Sequence, residues 1–329
     1  MSATVKPGLV SVVVASYNHA EFLDKRMESL INQTYQNIEI LVIDDCSSDN
    51  SVGVLRKYES HPKVKLVIRE KNGGWVTVSN QGIEMSSGEF VIFANCDDDC
   101  EPHMIERLVG ALKIYPAAGI AFCRSLLVNE EDQVIGNDFD NRERSFLCRC
   151  STDTLLTRTE MRRFLLHACV IPNLSAALFR RECFDTVGNF SSAYRACCDW
   201  DLFFKVVEYY DVAYISEPLN KFRQHSNTIR SVMKERETKE EYIRLLLGQI
   251  VSMDLPLIES CHFRTYVMYL WSVHLLSPSW AGLKNLPYHI RVVIRHDPYA
   301  LFFLGPALIV RVAQVLGKLF LGRKRYVKL

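Results

Sequence analysis

Apolar and polar positions follow two rhythms in the first hundred residues. Val10-Ser11-Val12-Val13-Val14 is a β-branched run, whereas apolar residues from Ala20 to Ile31 recur at helical spacing. Ile38 to Ile43, Val64 to Ile68 and Phe90 to Ala94 are further strand-like runs. Between them, Asp49 to Tyr58 reads as a short helix with Asp49 as its N-cap, and Trp75 to Met85 reads as another. Strand and helix alternating at this spacing predict βαβ units, hence a mainly parallel, Rossmann-like α/β sheet with helices on both faces. The middle, from Gly119 to about Pro218, is less regular. Ile120 to Cys123 and Ser175 to Phe179 suggest strands, and Asp199 to Val207 suggests a helix whose acidic start suits the helix dipole. The charged run Lys234 to Glu241 opens a helical region that reaches to the C-terminus.

In open parallel sheets, ligands bind beyond the carboxyl ends of the strands. Polar clusters stand at four such ends: Ser16-Tyr17-Asn18, Asp44-Asp45, Asn72-Gly73-Gly74, and Asn95 to Asp99. The last includes three consecutive carboxylates, Asp97-Asp98-Asp99, directly after an apolar strand. A hard divalent cation such as Mg2+ or Mn2+ would relieve their mutual repulsion, and such ions often share their oxygen ligands with substrate phosphates. The plainer reading of the same run is a solvated acidic turn before the helix near Pro102.

A chain of 329 residues with 48% hydrophobic content can build one large domain or a catalytic domain with an appendage. The net charge of +1 gives no electrostatic case for a nucleic-acid partner. The eleven cysteines are scattered without Cys-x-x-Cys spacing, and no basic-then-apolar segment opens the chain, so a reducing cytoplasmic location is expected. Thr265 to Leu283 lacks charged residues but contains His274, Pro278 and Gly282, which suits a buried helix better than a membrane span. The tail pairs an apolar stretch, Pro298 to Val310, with Arg311, Lys318, Arg323-Lys324-Arg325 and Lys328. That pattern suits either peripheral contact with the inner face of the plasma membrane or packing on the protein itself.

From residue 9 to about 230 the chain resembles the family-2 glycosyltransferases of the GT-A fold. The matches occur in the family's order: Val12 to Asn18; Ile43-Asp44-Asp45-Cys46-Ser47-Ser48-Asp49; Asn72-Gly73-Gly74 with Asn80-Gln81-Gly82; and Gly88-Glu89-Phe90 through Pro102. Phe179-Arg180-Arg181 with Gly188-Asn189-Phe190, Asp199-Trp200-Asp201-Leu202, and Phe222 to Asn227 follow. The resemblance implies a GT-A domain over 1–230, with a nucleotide-sugar-binding half at 1–118 and an acceptor and catalytic half at 119–230. A helical region at 231–329 then follows. It also implies a metal-dependent, inverting transferase that uses a nucleotide-diphosphate sugar, with UDP the commonest nucleotide, and a glycan or lipid-linked acceptor in polysaccharide biosynthesis. Donor binding would fall to Ser16, Tyr17, Asn18, Asp44, Asp45, Asn72, Gly73, Gly74, Asn80, Asn95 and Asp97. The metal would fall to Asp97, Asp99 and His225, with the leading carboxylate left open between Asp97 and Asp99. Asp199 would be the base that takes the acceptor's proton, with Asp201 in reserve. Two positions depart from the family pattern: Asn95 stands where Asp is usual, and Cys198 where Glu is usual. The competing readings are a sugar-nucleotide nucleotidyltransferase and a non-catalytic nucleotide- or glycan-binding module.

Overall fold

The computed structural model describes residues 5–141, 144–225, 235–275 and 286–321. Ser226 and Asn227 of the closing motif, Lys234, the stretch 276–283, and the basic residues Arg323, Lys324, Arg325 and Lys328 lie outside them. The chain divides into two compact units, Met1–Thr228 and Ile229–Leu329.

The first unit opens with β1 (Lys6–Ser16), α1 (Ala20–Ile31), β2 (Ile38–Asp44), α2 (Ser51–Arg56), β3 (Val64–Ile68), α3 (Trp75–Met85) and β4 (Gly88–Phe93). These strands pair in parallel in the order β3-β2-β1-β4, as the alternating rhythm predicts. The period of two in β1 sorts its side chains between two layers of helices. Val10, Val12 and Val14 join a core with Leu23, Met27 and Leu30 of α1 and with Val54 and Leu55 of α2. Val13 faces the other way, onto Gly82 of α3, where a Cβ would come within 2.2 Å of the valine methyl.

The remainder is β5 (Asp99–Cys100), α4 (Met104–Ile114), β6 (Ala118–Val128), β7 (Val134–Asn137), α5 (Arg144–Arg149), β8 (Thr154–Leu156), α6 (Arg158–His167), β9 (Ala177–Arg180), α7 (Glu182–Val187), α8 (Cys198–Val206) and β10 (Asp211–Arg223). The sheet continues β4-β9-β6-β10-β5, with β7 on β6 and β8 on β10. Here it is mixed rather than parallel, because β9 runs antiparallel to both β4 and β6. The chain enters β9 at the carboxyl end of β4, where the Ser175 hydroxyl accepts from the Asn95 N–H at 3.0 Å. From that end a strand can only run back down the sheet. Phe93 packs on Phe179, Phe184 and Phe190, and Phe179 stacks on Phe203, which fixes α7 and α8 against the α3 side of the sheet.

Asp49 does not cap α2. Asn50 occupies the N-cap position, and the Asp49 carboxylate accepts from Ala20 N–H at 3.0 Å and Ser51 N–H at 2.9 Å. It therefore joins the starts of α1 and α2.

The second unit is helical: α9 (Glu235–Ser252), α10 (Leu257–Leu275), α11 (Leu286–His296), a 3-10 segment (Pro298–Phe303) and α12 (Leu304–Leu321). Its core holds Ile243, Leu247, Phe263, Val267, Trp271 and Val293. Within it the Trp271 indole N–H donates to His289 at 3.0 Å, and Arg264 pairs with the buried Asp297 at 2.5 Å. Among the described residues no helix is long and apolar enough to cross a membrane.

Candidate active site

The turn after β1 is cross-braced to the turn after β2. Asn18, at φ 54°, accepts from the Ser48 N–H at 2.8 Å and donates its own N–H to Ser47 at 3.0 Å. Asp44 is fully buried and accepts from Ser16 Oγ, Ser47 N–H and Ser47 Oγ. Asp45 accepts from the Gly73 and Gly74 N–H groups at 2.9 and 2.7 Å and pairs with Arg69 at 2.8 Å. Its carboxylate thereby clamps the 72–74 segment to the end of β2. The Tyr17 ring is left 44% exposed beside this braced surface.

The three consecutive aspartates have three different environments. Asp97 lies 2.9 Å from His225 Nε2. Asp98 is buried and accepts from Asn173 at 2.7 Å, Ser175 at 2.6 Å and the Arg223 N–H at 3.0 Å. Burial and the adjacent Asp97 charge push its carboxyl up to about 7, against the opposing pull of Arg26 and these hydrogen bonds. Asp99 points elsewhere, between Lys25 at 3.4 Å and Lys221 at 3.5 Å.

Asp97 is the carboxylate that meets other ligand-type groups. His19, Asp97 and His225 each offer a donor atom within 4.8 Å of the others. They come from the turn after β1, the end of β4 and the end of β10, so the sheet topology itself gathers them. Asp99, the other carboxylate expected at a metal, is not in this group. Burial alone would raise the Asp97 carboxyl, but the His225 hydrogen bond and the charges of both histidines hold it below its ordinary value. His225 is raised in turn, first by that same hydrogen bond. His19 Nδ1 lies 2.6 Å from the Tyr17 carbonyl, so it donates its proton there and leaves Nε2 with its lone pair in the neutral ring.

The donor set suits a divalent cation. Two imidazoles and a carboxylate are a Mn2+ set more than a Mg2+ set, since Mg2+ prefers oxygen ligands alone. Arg223 holds the surrounding segments. Its guanidinium donates to the Asp97 carbonyl at 2.7 Å and the Asn129 carbonyl at 2.6 Å, pairs with Asp132, and lies over the Phe22 ring.

Asp199 stands in the first turn of α8, partly exposed, and its carboxylate accepts from the Trp200 N–H at 2.8 Å. Asp201 is buried and paired with Lys205 at 2.6 Å. Asn80 exchanges two hydrogen bonds of 3.0 Å with the Phe190 backbone, tying α3 to the segment after α7. Asn95 donates weakly to Asp98 at 3.4 Å. Sequence reasoning missed His19 and the bracing role of Arg223. The signal for His19 was its place directly after Tyr17-Asn18, in a turn that the parallel sheet must deliver to the ligand edge.

The model of glycosyl transferase family 2 matches residues 11–188. The chain belongs to that family. It is a glycosyltransferase, and the enzyme class expected from the order of its motifs holds. It is similar to an uncharacterized glycosyltransferase of Haemophilus influenzae, 27% identical over 263 residues, covering 77% of this chain and 78% of that protein. It is also 40% identical over 101 residues to the uncharacterized glycosyltransferase YibD of Escherichia coli, where the match spans 30% of this chain and only 29% of the relative. Among solved structures, S. aureus TarS in complex with UDP-GlcNAc superposes with a TM-score of 0.66 at 19% identity, over 90% of this chain and 83% of that one. The Pyrobaculum calidifontis mannosyltransferase PcManGT, in complex with GDP-Man and Mn2+, gives 0.51 at 16% identity, over 95% and 88%. At these identities the likeness shows the shared GT-A fold.

Proposed function

We propose that this transferase is metal-dependent and inverting, and that it moves a sugar from a nucleotide-diphosphate donor to a glycan or lipid-linked acceptor. The convergence of His19, Asp97 and His225 at the ligand edge of the sheet carries the reading. These three residues would hold the cation, which supplies positive charge against the departing diphosphate. The partly exposed Tyr17 ring offers a face for the nucleotide base. Asp45 holds Gly73 and Gly74 in place beside it, while Asp44 and Asn18 shape the turn.

Asp199 is the better base of the two α8 aspartates, because Asp201 is buried and its carboxylate is committed to Lys205. As the acceptor hydroxyl attacks the anomeric carbon, Asp199 takes its proton. A single displacement inverts the configuration at that carbon. UDP-GlcNAc in one structural neighbour and GDP-Man with Mn2+ in another make both nucleotides the first donors to test. The setting implied by the family resemblance is polysaccharide biosynthesis of the bacterial cell envelope, with the reaction on the cytoplasmic side; the relatives are bacterial glycosyltransferases.

The deciding experiment incubates the chain with Mn2+ and a panel of UDP- and GDP-sugars and measures release of the nucleoside diphosphate. Asp199→Asn should keep donor affinity but lose turnover by about a hundredfold to ten-thousandfold. Donor binding without turnover in the unaltered chain would leave only a binding module. Pyrophosphate release from a nucleoside triphosphate and a sugar phosphate would instead make it a nucleotidyltransferase.

A further inference from the structure

Helix α12 (Leu304–Leu321) packs one side against α10, and Ala307 is fully buried there. The Tyr269 hydroxyl donates to Gln314 at 2.6 Å on the same side. Over 304–314, where the side chains are described, the side turned outward is apolar. Gly305, Pro306, Ile309, Val310, Val312 and Ala313 are all exposed, and at 100° per residue they fall on one continuous arc. Ile309 is 71% exposed and Val312 is 49% exposed, and Phe302, just before the helix, is 78% exposed. A surface helix of a water-soluble bundle normally turns its polar face out, so this helix is inverted.

The charge of the surrounding sequence identifies what such a face meets. From Leu286 to Leu329 the chain has eight Lys and Arg residues against a single acid, Asp297. That acid is buried and bound to Arg264, so it offsets nothing at the surface. The segment is therefore +7 in a chain of net +1, which leaves −6 on everything before it. Arg291 and Arg295 are exposed on α11, beside Ile294 at 51% exposure. A second copy meeting the chain through this segment would set +7 against +7 and be repelled. An anionic lipid surface supplies both an apolar layer for the exposed arc and negative charge for the basic residues of the same segment.

We propose that the outward face of α12 over 304–314, with Phe302 and with the exposed Arg291 and Arg295 of the same unit, docks in the plane of an anionic bilayer, so that this unit is a peripheral membrane anchor. The helix lies along the interface and does not span it.

The test is co-sedimentation of the full chain with phosphatidylcholine vesicles, with and without phosphatidylglycerol. The full chain should pellet with the anionic vesicles, much less with the neutral ones, and be released by high salt. I309E/V312E should lower the vesicle affinity by about tenfold or more for each apolar side chain withdrawn. Both positions are exposed, so the far-ultraviolet circular dichroism and the melting temperature should not change. R291Q/R295Q should weaken anionic binding while sparing the apolar face. A full chain that stays in the supernatant with both vesicle types overturns the proposal. So does pelleting that I309E/V312E leaves unchanged, or a dimer seen by light scattering that the same variant abolishes without any lipid binding. Resistance to alkaline carbonate would make the helix a span and overturn it equally. No donor or turnover enters the assay, so its outcome is independent of the sugar-transfer reading.

Discussion

The Asp97 carboxylate and the His225 ring sustain one another: each shifts the other's pKa toward the charged form. In the metal-free protein this pair stabilises the fold only inside a window. The Asp97 contribution is present above the carboxylate's unfolded value and is lost as pH falls through its lowered folded value. The His225 contribution is present below the imidazole's unfolded value and is lost as pH rises through its raised folded value. A cation needs the opposite state of the ring, because only neutral imidazole is a ligand. Mn2+ binding should therefore release protons, and its affinity should climb as pH rises through the raised value of His225 before levelling. Calorimetry would show this, and a flat profile would remove His225 from the metal. At neutral pH, Asp97→Ala and His19→Ala should each weaken Mn2+ by at least tenfold, in line with the roughly 10–100-fold losses seen even for residues that only support metal ligands. Asp99→Ala should leave Mn2+ affinity nearly unchanged, because Asp99 is held between Lys25 and Lys221. Those lysines are partly exposed, so its loss should cost only about 1 kcal/mol of stability. If Asp99→Ala abolished Mn2+ binding while Asp97→Ala did not, the assignment would be reversed.

Elements were legible in the sequence where one local rule decided them. α1 and α3 lie at Ala20–Ile31 and Trp75–Met85, and β3 at Val64–Ile68, because helical spacing and β-branched runs leave little ambiguity there. The antiparallel β9 was not legible, since its direction depends on where the chain enters the sheet, a contact between residues eighty apart in sequence. His19 escaped for a related reason: its partners, Asp97 and His225, meet it only through strand order. The glycines of the recognised motifs have a meaning that only packing reveals. A Cβ on Gly88 would fall 2.6 Å from the Leu9 carbonyl oxygen and 2.8 Å from the Ser11 nitrogen, both backbone atoms that cannot yield. Gly88→Ala should therefore push β4 away from β1 and cost about 1–3 kcal/mol or more in urea unfolding. Gly110 in α4 is the matched control, with nothing within 4 Å of its added Cβ. Gly110→Ala should be neutral or stabilise by up to about 1 kcal/mol through helix propensity. Equal stability of the two variants would mean that β1 and β4 do not approach as closely as described.

At the scale of the whole molecule, every residue assigned to the sugar-transfer site belongs to the first unit, and every residue assigned to the lipid face belongs to the second. That division has a measurable consequence. A ligand that binds only the native state of one unit stabilises that unit by mass action, by about 2.7 kcal/mol at a hundred times its dissociation constant. Amide exchange reads such stabilisation segment by segment, because each stretch opens with its own free energy. With Mn2+ and a tightly bound nucleoside diphosphate, protection should rise at the carboxyl ends of β1, β2, β4 and β10, where Asn18, Asp45, Asp97 and Arg223 brace one another's segments. The increase should extend to β9, whose entry is tied to Asp98 through Ser175. Exchange in α9, α10, α11 and α12 should stay where it was. Anionic vesicles should give the complementary pattern, slowing exchange in α12 and leaving the strand ends untouched. Mass spectrometry of the exchanged full chain decides between this and a single coupled body. If nucleotide slowed α9–α12 as much as the strand ends, the two functions could not be assigned to separate units.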